Sequence, residues 1–218
     1  MSSATSKSGI AVALAVSALA VCLAAPKKSG SSKLAAGSAA KASSEGQYFY
    51  VYTEQGSKFN HYAPSGWMGD YGDLKVDQGW KDNPAEGKTC IRITYSAKRS
   101  QGAGWAGIYW QQPANNWGNK AGGYDLSKYK SVTFWVRGGA GGEKMGEFKA
   151  GGISGQMEKG DSDTATTGPV TLTADWKKYT IDLAGKDLSY IIGGFCFAAN
   201  ADDNPNGFDL YLDEIRYE

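Results

Sequence analysis

Residues 102–118 bring together four aromatic side chains, Trp105, Tyr109, Trp110 and Trp117, and four amides, Gln111, Gln112, Asn115 and Asn116. Flat rings stack on the C–H faces of a pyranose, while amides replace the hydrogen bonds to water that sugar hydroxyls give up on binding. These residue types therefore suit recognition of a hydroxyl-rich ligand, with Trp105, Tyr109, Trp110, Gln111, Asn116 and Trp117 as candidate contacts. A second aromatic segment, Trp67-Met68-Gly69-Asp70-Tyr71-Gly72-Asp73, reads as a loop in which Trp67 and Tyr71 have little core to reach, and both join the candidates. Bond-breaking chemistry has less to work with. The chain holds one histidine, His61, and neither a Gly-x-Ser-x-Gly motif nor a phosphate loop ahead of a helix, which removes support for Ser/His and zinc hydrolases. Glu143, Glu147 and Glu158 lie near one another in the chain, which leaves a paired-carboxylate glycoside hydrolase, or a polysaccharide lyase, as an alternative.

The elements that position these residues are strands. Past Gln47 hardly any segment has helical period, whereas period-two runs bounded by Gly, Pro, Asn and Asp recur at 48–53, 89–97, 105–111, 131–137, 147–153, 170–173, 177–182, 193–199 and 209–217. That spacing predicts an all-β fold, a two-sheet antiparallel β-sandwich of the jelly-roll kind. Alternation places Ile91, Ile93 and Tyr95, then Val132, Phe134 and Val136, then Phe208, Leu210 and Leu212 in the core, and turns Arg92, Thr94, Thr133, Trp135 and Arg137 to the opposite faces. The same rule separates the rings of the first segment: Trp105 and Tyr109 share one face, while Trp110 shares the other with Ala106 and Ile108.

Residues 1–25 read as a signal peptide, with Lys7 ahead of an apolar stretch from Ile10 to Ala25 that is too short to span a bilayer. Cys22 follows Leu19-Ala20-Val21, and Val21 departs from the small residue that a lipoprotein signal carries there, so a lipid anchor is disfavoured. Residues 26–46 are a Ser/Ala/Gly/Lys linker expected to be disordered, and residues 47–218 carry every aromatic residue and form one domain. The expected location is therefore secreted or cell envelope. From Gln47 onward acidic residues outnumber basic ones by three, so there is no basic surplus for nucleic acid. In an oxidising compartment Cys90 and Cys196 either pair as a disulfide or stay as two separately buried thiols. The loop from Asp202 to Gly207, followed by Asp213, has EF-hand-like spacing, but residues 208–213 alternate as a strand and no helices flank it.

Three segments taken together carry a family resemblance: Gly104-Trp105-Ala106-Gly107-Ile108-Tyr109-Trp110; Tyr124-Asp125-Leu126-Ser127 leading into Val132-Thr133-Phe134-Trp135-Val136-Arg137-Gly138; and Leu210-Tyr211-Leu212-Asp213-Glu214-Ile215. The chain resembles the galactose-binding-like jelly rolls, in particular carbohydrate-binding modules close to family 11. The resemblance implies a noncatalytic sandwich whose concave face holds a polysaccharide or oligosaccharide, and the chain is expected to be a monomer. The resemblance also implies a structural calcium that ties the first strand to the last, with Asp213 and Glu54 as ligands. Arg137 matches the family's Phe-x-x-Arg strand end, where it reaches the ligand face or pairs with an internal acid. A surface protein that adheres to another protein is the competing reading for such a sandwich.

Overall fold

The computed structural model describes residues 46–153 and 158–218. The proposed export signal with Cys22, and the linker up to residue 45, lie outside the described residues. The strands are β1 (Phe49–Tyr52), β2 (Ala63–Gly69), β3 (Leu74–Trp80), β4 (Cys90–Tyr95), β5 (Trp105–Gln111), β6 (Ser131–Gly138), β7 (Lys144–Met145), β8 (Glu147–Gly151), β9 (Thr164–Thr166), β10 (Val170–Thr171), β11 (Lys177–Asp182), β12 (Gly193–Asn200) and β13 (Phe208–Tyr217). Every pairing among them is antiparallel. A five-stranded front sheet has the order β2-β5-β12-β8-β9; a six-stranded back sheet has the order β11-β6-β13-β4-β3, with β1 added along β13; and β7 pairs with β10 as a short ribbon. Among the described residues no helix is long and apolar enough to cross a membrane.

The two sheets bury one row of each strand against the other. From the back sheet come Ile91, Ile93, Tyr95, Val132, Phe134, Val136, Leu210 and Leu212; from the front sheet come Ala106, Ile108, Trp110, Phe148, Phe195 and Phe197, all within one core cluster. Phe134 spans the interface, with ring centroids 4.9 Å from Phe148 and 5.0 Å from Phe195, and Trp110 meets Phe195 edge-on at 5.6 Å. Tilted and edge-to-face rings at such distances add attraction to the area they bury. His61 plays a structural part: its ring stacks on Phe49 at 3.9 Å and its Nδ1 lies 3.0 Å from the Tyr50 carbonyl.

Four strands escape the sequence pattern, the short β7 and β9 and the longer β2 and β3. The segment read as a loop begins instead as the end of β2, and only Tyr71–Asp73 form a 3-10 turn. β2 carries Pro64, Gly66 and Gly69 and β3 carries Gly79, residues that weaken a strand signal, and each lies at a sheet edge, where such residues are tolerated. The last strand also changes phase. Its register slips between Asp213 and Arg216, with Glu214 in the left-handed region at φ 46°, so the inward row passes from Leu210 and Leu212 to Ile215 and Tyr217. This is the geometry of a β-bulge.

The disulfide is corrected by the topology. Cys90 alternates with inward-facing Ile91 on β4 and Cys196 with inward-facing Phe195 and Phe197 on β12, so the two thiols lie on the outer faces of opposite sheets and are free. Sheets pack about 10 Å apart, beyond the roughly 7 Å that a bridge tolerates between Cα atoms. Burial pushes the Cys90 thiol up to about 12 and raises Cys196 as well.

Asp213 is fully buried on the outer side of the back sheet, where the backbone N–H of Glu86 crosses over it and donates to Oδ2 at 3.0 Å. Burial, with the negative charges of Glu214 and Glu54, pushes its carboxyl up to about 8. A carboxyl raised in the folded state stabilises the fold fully below its unfolded value near 4, and that contribution is lost as pH rises through the folded value. Stability is therefore expected to fall between about pH 4 and about pH 8, and Asp213→Asn to flatten that slope whatever its absolute Tm. Melting curves across this range check it; parallel slopes for the two proteins would refute the assignment.

Candidate functional site

Residues of the front sheet that do not enter the core form its outer face. The register aligns them in rows: Trp105 beside Asn200; Met68, Gly107, Ala198 and Glu147; then Gly66, Tyr109, Cys196, Lys149 and Thr166. Paired residues in a sheet project to the same side, so Gly66, Gly107, Cys196 and Ala198 share this face; Gly66 lies beneath the Gln111 side chain, Gly107 beneath Met68, and Cys196 packs into a small buried cluster with Tyr109, Ile153 and Ile192, which leaves Ala198 half-buried. Trp105 projects from one end of this face, whereas Trp67 pairs with core-facing Ile108 and reaches a cleft around the β2 edge. Among the described residues the exposed large hydrophobics are Trp67, Tyr71 and Trp105, at 39%, 52% and 40% exposure, and all three belong to this end of the molecule. An open cleft of about 480 Å³ at the β2 edge is lined by Ser65, Trp67, Tyr71, Asn115 and Trp117.

The structure divides the candidates into rings that face solvent and residues that hold them. Trp117 stands edge-on against Tyr109, centroids 6.1 Å apart, and Tyr109 is itself buried with its hydroxyl donating to the Gly151 carbonyl at 3.2 Å. Tyr109 is thus a support for Trp117 rather than a free platform. Gln111 and Asn116 are buried and their amides are committed: Gln111 Nε2 donates to the Asn116 carbonyl at 2.8 Å, Gln111 Oε1 accepts from Ser65 Oγ at 2.9 Å, and Asn116 Oδ1 accepts from the backbone N–H of Gly118 and Lys120. They shape the turn that carries Trp117, which corrects their expected place as ligand contacts. Two further candidates are removed outright. Trp110 is fully buried in the core, because period two turns it away from Trp105 and Tyr109. Arg137 lies on the outer face of the back sheet, its guanidinium 3.6 Å from the Tyr211 ring centroid and 5.2 Å from that of Trp176, so the sandwich separates it from the front face.

One residue that sequence reasoning passed over organises the exposed rings. Asp70 is fully buried, its carboxylate accepts from the backbone N–H of Gln101, Ala103 and Gly104 at 2.8, 3.0 and 2.7 Å, and its own N–H donates to the Trp105 carbonyl at 2.7 Å. Burial works against its charge, but those backbone donors hold the carboxyl below the usual range. The carboxylate thus fastens the turn ahead of Trp105 to the stretch between Trp67 and Tyr71. The chain passes tightly there: Gly69, at φ 61°, leaves no room for a Cβ, which would meet the Trp105 carbonyl oxygen at 2.2 Å. An acid followed by a ring and preceded by Gly was the signal available in the sequence, and it is too common to single out Asp70.

Glu54 and Asp213 do not fit a calcium ion. Both Glu54 oxygens accept hydrogen bonds, from the N–H of Lys88 and Thr89 and from Thr89 Oγ1, and both Asp213 oxygens accept from the N–H of Glu86 and Glu214. Calcium needs 6–8 oxygens free to turn toward it, and among the described residues no group of three or more His, Cys, Asp or Glu side chains could hold a metal. Two of the glutamates considered for hydrolysis have structural partners: Glu143 Oε1 caps the turn at Ala140 and Gly141, and Glu147 is ion-paired with Lys149.

Residues 48–217 match the model of the family described as carbohydrate binding domain 30. Among solved structures, the crystal structure of a family 30 carbohydrate binding module is similar over 78% of this chain and 86% of that one, at 20% identity and a TM-score of 0.51. The family 30 module of the cellulosomal cellulase Cel9D-Cel44B of Clostridium thermocellum is similar over 78% of this chain and 96% of that one, at 19% identity and a TM-score of 0.52. No curated protein matches the chain.

Replacing Asp70 with Ala leaves three backbone donors without their acceptor and releases Trp105. The expected result is a lower Tm together with weakened ligand binding, while Asp70→Asn, which keeps one carbonyl oxygen, recovers part of both. Tryptophan emission reports the ring directly: a spectrum unchanged in Asp70→Ala would show that the carboxylate does not position Trp105.

Proposed function

The chain belongs to the carbohydrate binding domain 30 family, and from that membership we propose that the outer face of the front sheet holds a β-glucan chain against Trp105 and Trp117, with Trp67 meeting it around the β2 edge and Tyr71 at its rim. The protein binds carbohydrate and does not cleave it. Family 30 replaces the family 11 suggested by the sequence motifs, and within that family the choice of glycan is the proposal. One observation carries the location: the exposed large rings gather at one edge of one sheet, beside an open cleft that Trp117 also lines, while the back sheet's guanidinium groups cover the rings there. Exposed rings lose water-ordered surface when a sugar's C–H face covers them, which is why they are left exposed in the free protein. The β-glucan class is supported by the cellulase that carries the similar module. Residues 1–25 would deliver the domain outside the cell, where such polymers are met.

Affinity electrophoresis through gels containing hydroxyethyl cellulose, xylan, mannan or pectin tests this reading. Retardation is expected in the hydroxyethyl cellulose gel. Trp105→Ala and Trp117→Ala should each lose about 1 kcal/mol, roughly fivefold in Kd. Normal retardation of both variants would remove the site, and free migration of the wild type in the cellulose gel would remove the β-glucan.

A further inference from the structure

The five strands of the front sheet contain two charged residues, Glu147 and Lys149, and both sit on β8. The register brings both out on the sugar-binding face, Glu147 beside Ala198 and Lys149 beside Cys196, on the side of β12 away from β2. β8 lies between β12 and β9, which places the charges within the sheet rather than at its edge. They are also held in place. Lys149 Nζ lies 2.7 Å from Glu147 Oε1, Thr166 Oγ1 donates to Glu147 Oε2 at 3.1 Å, and the ammonium stands 5.6 Å from the Tyr109 ring centroid. The Lys149 side chain is 22% and the Glu147 side chain 29% exposed, enough to meet a ligand laid across the face.

An ion pair that keeps contact with water contributes little to stability, so the fold does not depend on charge at this place. A face that binds hydroxyls does. We propose that Glu147 and Lys149 set the charge selectivity of the sugar-binding face, presenting a charge-assisted acceptor and donor to the hydroxyls of an uncharged glucan while cancelling each other toward a chain that bears carboxylates. This rests on the placement of the glycan against Trp67, Trp105 and Trp117. Charged groups hydrogen-bond hydroxyls more strongly than neutral ones do. Glu147 occupies Lys149, so a carboxylated polymer finds no free cation, and like charges brought together oppose its binding.

The test compares the full chain and its variants in gels of two polymers with one backbone, hydroxyethyl cellulose and carboxymethyl cellulose. Glu147→Gln releases the Lys149 ammonium, and the preference for the carboxymethyl polymer over the hydroxyethyl polymer is expected to rise by about threefold or more. Lys149→Met leaves the Glu147 charge alone, and the same ratio is expected to fall by a similar factor. Added salt should shrink both changes, since they are charge effects. Ratios that stay at the wild-type value, or move in the same direction in both variants, would overturn the proposal. Trp105→Ala separates this failure from failure of the site itself. It should weaken retardation in both gels alike, and if it does so while the charge variants match the wild type, only the selectivity assignment falls.

Discussion

The contact of Phe134 with Phe148 and Phe195 across the sandwich fixes the facing of the strands that build the site. Once Phe148 on β8 and Phe195 on β12 point inward, period two sends Glu147 and Lys149 outward, and Cys196 and Ala198 with them. The partner strand must follow: Ile108 and Trp110 enter the core, and Trp105, Gly107 and Tyr109 emerge on the front face. A slip of one residue anywhere in this set would bury the sugar face and expose the core.

Two buried carboxylates then hold the loops that frame the face. Asp70 gathers the backbone N–H groups ahead of Trp105, and Asp161 does the same for Ile153, Ile192 and Gly193 next to Tyr109. Loops cannot satisfy such donors by sheet pairing, and buried donors without acceptors are costly. A charged acceptor for several donors is a compact solution, and it leaves the exposed ring of Trp105 and the half-buried ring of Trp117 on fixed backbone. Binding surfaces gain from that arrangement, because less freedom remains to be lost when ligand arrives.

What the sequence made legible was periodicity. Strands 105–111 and 177–182 have the expected bounds, and the inward rows around Ile91, Phe134 and Leu210 follow from alternation alone. What it hid was nonlocal. β2 and β3 are edge strands whose Pro and Gly residues suppress the pattern, and the phase change at Glu214 is a bulge without a signature in side-chain type. Composition could say that rings and amides occur together, but not that Gln111 and Asn116 spend their amides on one turn. Nor could it say that Arg137 faces the opposite side of the sandwich, because which strand joins which sheet is decided by pairing far along the chain.

The central claim is that a glycan contacts one face of the sandwich, and the chain's seven tryptophans report on it separately. Two-dimensional NMR of the indole N–H signals, followed while a soluble β-glucan oligosaccharide is added, measures this directly. The account predicts that the signals of Trp67, Trp105 and Trp117 move while those of Trp80, Trp110, Trp135 and Trp176 stay in place. Movement confined to Trp80, Trp135 and Trp176 would put the ligand on the back sheet and contradict it.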